Sequence, residues 1–207
     1  MAAGYSKRMQ RFKPLLDLGG EPVIARIVRS FIDAGVHDVR VVAGYGKDLL
    51  VPVLTKLGAR VIINDRYAEG MFSSVLAGVK SLEVGVDAFF ILPADIPLVS
   101  PSTLHFLAES YNLNPGKILV PCFEGRNGHP PLIDSKFIEG IIGYVGNGGL
   151  KGALQQFESE MLRVPVRDEN ILFDMDSPVD YFELQARWRR AISTVDGCEM
   201  AQHVEMK

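Results

Sequence analysis

The chain has little cysteine, no excess of positive charge and no long apolar run. Cys122 and Cys198 are its only cysteines in 207 residues, which is too few for a disulfide framework and suits a reducing cytoplasm. The formal net charge of −3 provides no basic field for nucleic acid. Apolar runs such as 88–92 are far too short to span a bilayer, and no secretory signal pattern is present. We therefore expect a cytoplasmic protein that binds neither nucleic acid nor membranes.

Short β-branched segments alternate with longer amphipathic segments along most of the chain. The predicted strands are 39–43, 60–64, 88–93, 117–122 and 161–164. The predicted helices are 22–34, 48–57, 72–82, 100–111, 134–142, 150–157 and 178–192. Such alternation predicts an α/β fold whose sheet is mostly parallel. The length suits one domain over residues 1–192, with 193–207 as a tail or linker that could lead into a further domain.

The first thirteen residues place small residues and cations on what should be one loop. Gly4 lets backbone N–H groups approach an anion, and Arg8 and Lys13 can neutralise phosphate charge. The loop therefore predicts a triphosphate site and chemistry at a nucleotide α-phosphate. Because a phosphate loop normally follows a strand, we expect the natural chain to carry a short apolar strand upstream of Met1.

Two acidic segments are candidates for metal binding. Asp95 follows the strongest predicted strand, at the sheet edge where open α/β folds bind ligands. The same segment is also compatible with an ordinary turn that exposes an Asp at the end of a strand. Ser177 is predicted to cap the last helix, with Asp174 and Asp176 just before it. Carboxylate oxygens are the ligands that Mg²⁺ prefers.

Two further loops carry polar residues. In the segment 64–78, Ser73 or Ser74 is predicted to cap a helix whose N-terminus could bind an anion. The Gly/Pro-rich loop 125–131 contains His129. A histidine in such a loop is expected to be exposed rather than part of the core.

These segments, in this order, resemble the nucleotidyltransferases of the molybdenum-cofactor branch. The start matches at Ala2-Ala3-Gly4, Arg8-Met9 and Lys13, and Ala94-Asp95 with Pro97 matches the metal motif of that family. The chain departs from the family pattern at Gln10, where glycine is usual, and around Asn147, where an Asp and an Arg are absent. The resemblance implies a Rossmann-like, three-layer α/β/α fold of the nucleotide-diphospho-sugar transferase type, here with its first strand missing.

The same resemblance implies roles for individual residues. Arg8 and Lys13 would be catalytic, holding the triphosphate and stabilising the departing pyrophosphate. Asp95 and Asp176 would hold Mg²⁺, with Asp174 as a weaker choice for the second position. The implied nucleotide-binding residues are Ala2, Ala3, Gly4, Ser6, Gly70, Met71 and Ser74. Gly128 and His129 complete the implied binding residues, on the side that receives the acceptor.

The reaction expected from this resemblance is transfer of a nucleoside monophosphate, with CMP favoured, from an NTP to a phosphorylated acceptor such as molybdopterin. An ionised phosphate is already a nucleophile, so no activating triad is needed. Two alternatives stay open: a nucleotidyltransferase for a sugar phosphate or another small phosphate ester, and a non-catalytic nucleotide-binding domain. A P-loop NTPase is disfavoured, because Gly44-Tyr45-Gly46-Lys47 lacks the required spacing.

Overall fold

The computed structural model describes residues 1–5, 7–9 and 11–204. Its strands are β1 (Asp17–Leu18), β2 (Glu21–Pro22), β3 (Arg40–Ala43), β4 (Arg60–Ile63), β5 (Ala88–Phe90), β6 (Ile118–Phe123), β7 (Arg126–Asn127), β8 (Leu132–Asp134) and β9 (Met161–Pro165). Its α-helices are α1 (Val23–Asp33), α2 (Lys47–Lys56), α3 (Met71–Lys80), α4 (Pro101–Leu113), α5 (Ile138–Ile142), α6 (Gly149–Gln155) and α7 (Pro178–Val204). Short 3₁₀ turns connect several of these elements.

The longer strands pair in parallel, as predicted. β3 pairs with β4 in parallel and β6 pairs with β9 in parallel, whereas β8 runs antiparallel between β5 and β6. Met1 and Ala2 connect the two groups of strands. The Ala2 N–H donates to the Val42 carbonyl at 2.8 Å, and the Met1 amino group donates to the Leu92 carbonyl at 2.6 Å. The chain start therefore lies between β3 and the segment that follows β5.

Helices cover both faces of this sheet, which confirms the three-layer α/β/α arrangement. α1 packs on α4 on one face, and α3 packs on α5 and α6 on the other. One apolar cluster contains buried residues of α1 and α4, such as Ile24 and Leu104. A second contains Val75 and Val79 of α3 together with inward residues of β5 and β6. Both layers bury apolar side chains against the sheet, which is the main source of stability in such a fold.

The strands and helices begin and end close to the predicted residues, with three differences. The predicted strand 88–93 ends as β5 at Phe90, and the chain continues towards Asp95 in an irregular conformation. β7, β8 and the β1–β2 hairpin were not predicted, because strands of two or three residues carry no readable periodicity. The backbone of α7 stays helical to Val204, beyond the predicted end of the last helix. The division into a domain and a tail remains a prediction.

Within residues 1–5, 7–9 and 11–204, every helix is too short or too polar to cross a membrane.

Candidate functional site

Buried residues anchor the N-terminal loop at both of its ends. Ala2 and Ala3 are buried, and so is Met9 in the 3₁₀ turn that follows. Gly4, which joins these anchors, is exposed, and a Cβ built on it would meet no atom within 4 Å. The loop therefore presents open backbone at the carboxyl edge of the sheet, where ligands bind in this class of fold.

Four of the predicted residues converge at the end of this loop. The Lys13 Nζ lies 2.8 Å from Asp176 Oδ1 and 3.9 Å from Asp95 Oδ2. The Arg8 Nη2 lies 2.8 Å from Asp176 Oδ2. The Lys13 side chain is only 12% exposed, whereas that of Arg8 is 74% exposed. Two cations and two acids from distant parts of the sequence thus form one charged cluster, with a largely buried lysine at its centre and an exposed arginine at its edge.

Backbone bonds hold the two acids in place. The Met175 N–H donates to the Asp95 carbonyl at 2.7 Å, and the Met175 side chain is fully buried. The Asp180 carboxylate accepts from the N–H groups of Asp176 and Ser177, at 3.0 and 2.7 Å. This confirms the predicted cap at Ser177, because the cap and the acid three residues later satisfy each other at the start of α7. Asp176 is therefore positioned by the helix start itself.

Asp95 is in an unfavourable place for an isolated anion. Burial raises the pKa of Asp95, the positive charge of Lys13 opposes that rise, and the negative charges of Asp176 and Asp174 add to it. A bound cation would relieve this energy. No group of three or more His, Cys, Asp or Glu side chains with metal-binding geometry occurs in the described part of the chain. A pair of carboxylates completed by substrate phosphates is a common Mg²⁺ site, so these residues fit such an ion.

A cavity of about 340 Å³ lies beside the charged cluster. Its walls bring together eight of the predicted residues: Ala2, Ala3, Gly4, Lys13, Gly70, Met71, Ser74 and Asp95. Gly70 adopts a φ of 105° as the N-cap of α3, a conformation that favours glycine. The N-terminus of α3, with its partial positive charge and free N–H groups, thus lies at the cavity wall.

The serines of this segment do not cap the helix. α3 begins at Met71, so Ser73 and Ser74 lie inside its first turns and the prediction of a serine cap is wrong. Ser74 is buried and accepts a hydrogen bond from the Asn64 Nδ2 at 3.0 Å, and Ser73 accepts one at 2.9 Å. Asn64 also accepts from the Arg66 N–H through its Oδ1. Asn64, for which no role was predicted, therefore fixes α3 against the end of β4.

An aromatic cluster at the cavity was also not predicted. Tyr5 and Tyr67 line the cavity, with ring centroids 5.4 Å apart. Tyr45 lies 5.0 Å from Tyr5 and is partly exposed. The three rings come from separate loops, so no local sequence pattern indicated that they would meet. Together they provide an aromatic surface beside the open backbone of Gly4, with the Tyr45 and Tyr67 rings inclined to that of Tyr5 by 44° and 65°.

Gly128 and His129 lie outside the walls of this cavity. A Cβ on Gly128 would come within 2.7 Å of the Ile171 carbonyl and side chain, so this glycine is required for close packing. His129 is partly buried and donates its backbone N–H to the Ile171 carbonyl at 2.9 Å, which contradicts the expected exposure. Burial lowers the pKa of His129, while the charges of Asp95 and Asp174 oppose that shift. The charges of Asp95 and Asp174 thus act on His129, although this residue does not line the cavity.

The His129 side chain and Ser6 complete the set of predicted residues. The His129 Nδ1 is buried and has no hydrogen-bond partner among the described residues. Ser6, predicted to bind nucleotide, lies outside the described residues, as does Gln10, where the chain departs from the family pattern.

The chain is similar to known proteins over most of its length. The model of the MobA-like NTP transferase domain family matches residues 1–162. Among curated relatives, the chain is 22% identical to the molybdenum cofactor cytidylyltransferase of Escherichia coli K12, over 90% of this chain and 94% of the relative. It is 25% identical to the nicotine blue oxidoreductase of Paenarthrobacter nicotinovorans, over 89% of this chain and 93% of the relative. Proteins similar to this chain thus differ in the chemistry they are named for.

Solved structures confirm the fold. The crystal structure of Rv0371c from Mycobacterium tuberculosis superposes with a TM-score of 0.78 at 20% identity, covering 89% of this chain and 94% of that chain. A structure of the same protein in complex with manganese gives a TM-score of 0.69 at 18% identity, with the same coverage. A divalent cation is therefore known to bind a protein of this fold.

Proposed function

The chain belongs to the family of MobA-like NTP transferase domains and is a nucleotidyltransferase, and from that premise we propose that it transfers CMP from CTP to a phosphorylated acceptor such as molybdopterin. The observation that carries the proposal is the position of Lys13 between Asp95 and Asp176, at the edge of a cavity large enough for a nucleotide. The preference for CTP and molybdopterin rests on the cytidylyltransferase relative.

The triphosphate would lie along the open backbone of Ala2–Gly4 and the N-terminus of α3. Both features offer N–H groups to phosphate oxygens. Arg8 and Lys13 supply positive charge from the other side, and the exposure of Arg8 leaves it free to follow the ligand. In the described structure both cations bind Asp176, so substrate binding exchanges these ion pairs for contacts with phosphate.

Asp95 and Asp176 would hold a Mg²⁺ ion. When bound, the ion would neutralise charge on the phosphate oxygens. Its presence would also relieve the repulsion between the two acids that contributes to the raised pKa of Asp95. The same carboxylate pair would accept Mn²⁺, the ion present in the manganese complex of Rv0371c.

The chemical step is a displacement at phosphorus. An oxygen of the acceptor phosphate attacks the α-phosphorus, the bond from that phosphorus to the bridging oxygen breaks, and pyrophosphate leaves with the negative charge. No protein base is needed, because the acceptor phosphate is already ionised. Lys13 and Arg8 stabilise the charge that develops on the leaving group, and the rigid loop positions the reactants.

The base of the nucleotide would pack against the aromatic cluster of Tyr5, Tyr45 and Tyr67. Stacking of a base on an aromatic ring contributes about 1–3 kcal/mol and tolerates different bases. The cluster would therefore contribute affinity rather than the choice of CTP. His129, whose buried Nδ1 has no hydrogen-bond partner among the described residues, would contact the acceptor.

Pyrophosphate release tests this proposal directly. The chain is incubated with Mg²⁺ and each of CTP, GTP, ATP and UTP, with molybdopterin or with a set of sugar phosphates as acceptor. We expect release that needs both CTP and molybdopterin. Release with a sugar phosphate would support the alternative acceptor class. Binding of CTP without release with any acceptor would support a non-catalytic nucleotide-binding domain.

The oxidoreductase relative defines a further control. Purified chain is assayed for electron transfer from NADH and NADPH to a redox dye under the same conditions. Because the charged cluster is suited to polyphosphate and not to hydride transfer, we expect no electron transfer above background. Electron transfer in the absence of any pyrophosphate release would overturn the proposed reaction.

A further inference from the structure

The sequence contains the dipeptide Asn-Gly at two places, Asn127-Gly128 and Asn147-Gly148. An asparagine before glycine can lose its side-chain amide, because the backbone nitrogen of the glycine can attack the asparagine Cγ. Glycine has no Cβ to hinder that approach. The same chemistry is thus possible at both places, and the surroundings of each pair decide where it occurs.

The pair Asn127-Gly128 is held by backbone hydrogen bonds and close packing. Asn127 belongs to β7 and pairs there with Cys122 of β6. The Gly128 N–H donates to the Pro121 carbonyl at 2.8 Å. A Cβ on Gly128 would come within 2.7 Å of Ile171. The nitrogen that would attack is therefore already hydrogen-bonded, and it can react only after this part of the structure opens locally.

The pair Asn147-Gly148 lies on the surface, in the segment that joins α5 to α6. Both residues are exposed, and Gly148 has a φ of 98° as the residue before α6. Among the described residues, the Gly148 N–H has no hydrogen-bond acceptor. No hydrogen bond therefore has to break before the Gly148 nitrogen reaches the Cγ of Asn147.

The Tyr144 hydroxyl adds an activating contact. It donates a hydrogen bond to the carbonyl of Asn147, which belongs to the same peptide group as the Gly148 nitrogen. When that peptide group loses its proton, resonance moves negative charge onto the carbonyl oxygen. A hydrogen bond to this oxygen favours the charged form. The Tyr144 hydroxyl therefore makes the Gly148 nitrogen a better nucleophile.

Two glycines make room for this contact. A Cβ on Gly146 would lie 2.6 Å from the Tyr144 hydroxyl oxygen, and a Cβ on Gly152 would overlap both that oxygen and the Asn147 carbonyl oxygen. A larger residue at either position would push the hydroxyl away from the carbonyl. The Tyr144 ring also packs edge-on against Phe72 of α3, with ring centroids 5.9 Å apart. The fold itself therefore holds the hydroxyl at this carbonyl.

We propose that Asn147 is a self-modification site, activated by Tyr144, at which water replaces the side-chain amide. The Gly148 nitrogen gives its proton to solvent and forms a bond to the Asn147 Cγ. The bond from Cγ to Nδ2 breaks, and the amide group takes a proton from water and leaves as ammonia. Water then opens the resulting succinimide ring at either of its carbonyls, which gives aspartate or isoaspartate. This inference does not depend on the proposed function.

The modified loop would lie close to the cavity beside the charged cluster. Phe72, on which Tyr144 packs, follows Met71 in the first turn of α3, and Met71 lines that cavity. Isoaspartate lengthens the backbone by a methylene group, which would move the residue 147 carbonyl relative to the Tyr144 hydroxyl. The modification would thus change the packing next to α3 as well as adding a negative charge.

Peptide mapping tests the proposal, because trypsin separates the two pairs. Cleavage after Arg126, Lys136 and Lys151 gives the peptides 127–136 and 137–151, each with a single asparagine. The folded chain is incubated at mildly alkaline pH, digested briefly at slightly acidic pH and analysed by mass spectrometry. We expect deamidation of peptide 137–151 to be at least about tenfold faster than that of 127–136, because Asn127 reacts only after local opening. Equal rates in the two peptides would overturn the proposal.

The unfolded chain is the matched control. In guanidinium chloride at the same pH, the rate at Asn127 should rise, because its restraints are lost, whereas the rate at Asn147 should not rise. An equal rise at both asparagines would contradict the proposal, since it would show that the fold protects both.

Tyr144→Phe tests the activating contact. It should lower the rate at Asn147 several-fold in the folded chain and leave that rate unchanged in the unfolded chain, where the contact does not exist. An unchanged rate in the folded variant would overturn the role of Tyr144. None of these measurements uses nucleotide, so they stand apart from the assay of pyrophosphate release.

Discussion

Two cavities of the described structure share Met1 in their walls and differ in their lining. The cavity beside the charged cluster is lined by open loop backbone, a helix N-terminus, Lys13 and Asp95. The second cavity, of about 430 Å³ between β3 and β5, is lined mainly by apolar side chains of α1, α3 and these strands, together with polar side chains such as Asp38, Asp87 and Tyr111. In the first cavity, a charged group such as Asp95 is buried unfavourably, and a bound cation or ligand would lower that free energy. In the second cavity, apolar side chains are exposed, and only contact with further apolar groups would lower their free energy. Changes in the first should therefore alter turnover, and changes in the second should alter stability.

The largest effect is expected at the centre of the charged cluster. Replacing Lys13→Ala removes the buried cation next to both acids and should lower turnover by about 10²–10³-fold, because it removes stabilisation of the leaving group. Pyrophosphate release measures the turnover, and the thermal midpoint of the same preparation measures the stability. We expect the protein to stay folded with a lower midpoint, because Asp95 and Asp176 lose the cation between them.

Lys117→Ala is the matched control for this variant, because Lys117 pairs with Glu160 at 2.9 Å outside the cavity walls. It should keep normal turnover. Normal turnover in the Lys13 variant would remove this residue from the catalytic machinery and with it the contrast between the two cavities.

The next effect concerns pH and the buried Met1 amino group. The pKa of the Met1 amino group falls from 8.0 in a free chain end to about 6 on burial, so the unfolded chain binds more protons between these values. The free energy of unfolding should therefore rise with pH across this window, by about 2–3 kcal/mol, and be lost again as pH falls through 6. Denaturant unfolding in EDTA, at a series of pH values, measures it.

His129 contributes in the same direction, since burial lowers its pKa too. A chain acetylated at the Met1 amino group provides the control, because acetylation removes the terminal charge and leaves His129 in place. We expect its pH dependence to be the weaker of the two. If both chains show the same slope, the Met1 amino group is not buried in solution.

A smaller effect is expected from the lining of the cavity between β3 and β5. Val79→Ala removes two buried methyl groups and should cost about 1–2 kcal/mol of unfolding free energy, with no change in turnover per folded molecule. Denaturant unfolding and pyrophosphate release on the same preparation measure both quantities. A loss of turnover per folded molecule would contradict the separation between the two cavities.

The smallest effect is expected at Gly4. This residue has no positive φ and a Cβ would meet no neighbour, so Gly4→Ala should leave the thermal midpoint within about 1 °C. The added methyl group lies where phosphate should approach, and the KM for CTP should rise several-fold. A steady-state titration with CTP measures the change. An unchanged KM would place the triphosphate elsewhere.

Much of the fold could be predicted from the sequence because local signals agree with the final structure. Ser100, for example, caps α4 through the Thr103 N–H as its position before Pro101 indicated. β8 could not be predicted, since its three residues become a strand only through their two neighbours. An element whose own sequence pattern matches its structure can be predicted from the sequence. An element that forms only by pairing with its neighbours cannot.

The same distinction holds for the candidate site. Lys13, Asp95 and Asp176 were predicted from motifs, and they do converge. The roles of Asn64 and of the tyrosine cluster arise from contacts between segments far apart in the chain, which no local pattern records. The error about His129 has a similar origin, because its loop is covered by residues around Ile171.

Binding of CTP as a function of Mg²⁺ tests the central claim most directly. Calorimetric titration of CTP into the wild-type chain, with and without Mg²⁺, is compared with the same titrations into Asp95→Asn and Asp176→Asn. We predict that Mg²⁺ strengthens binding to the wild-type chain and that each substitution removes most of this gain. Equal CTP affinity in all three proteins, with Mg²⁺ making no difference, would show that the four charged residues do not meet on one polyphosphate.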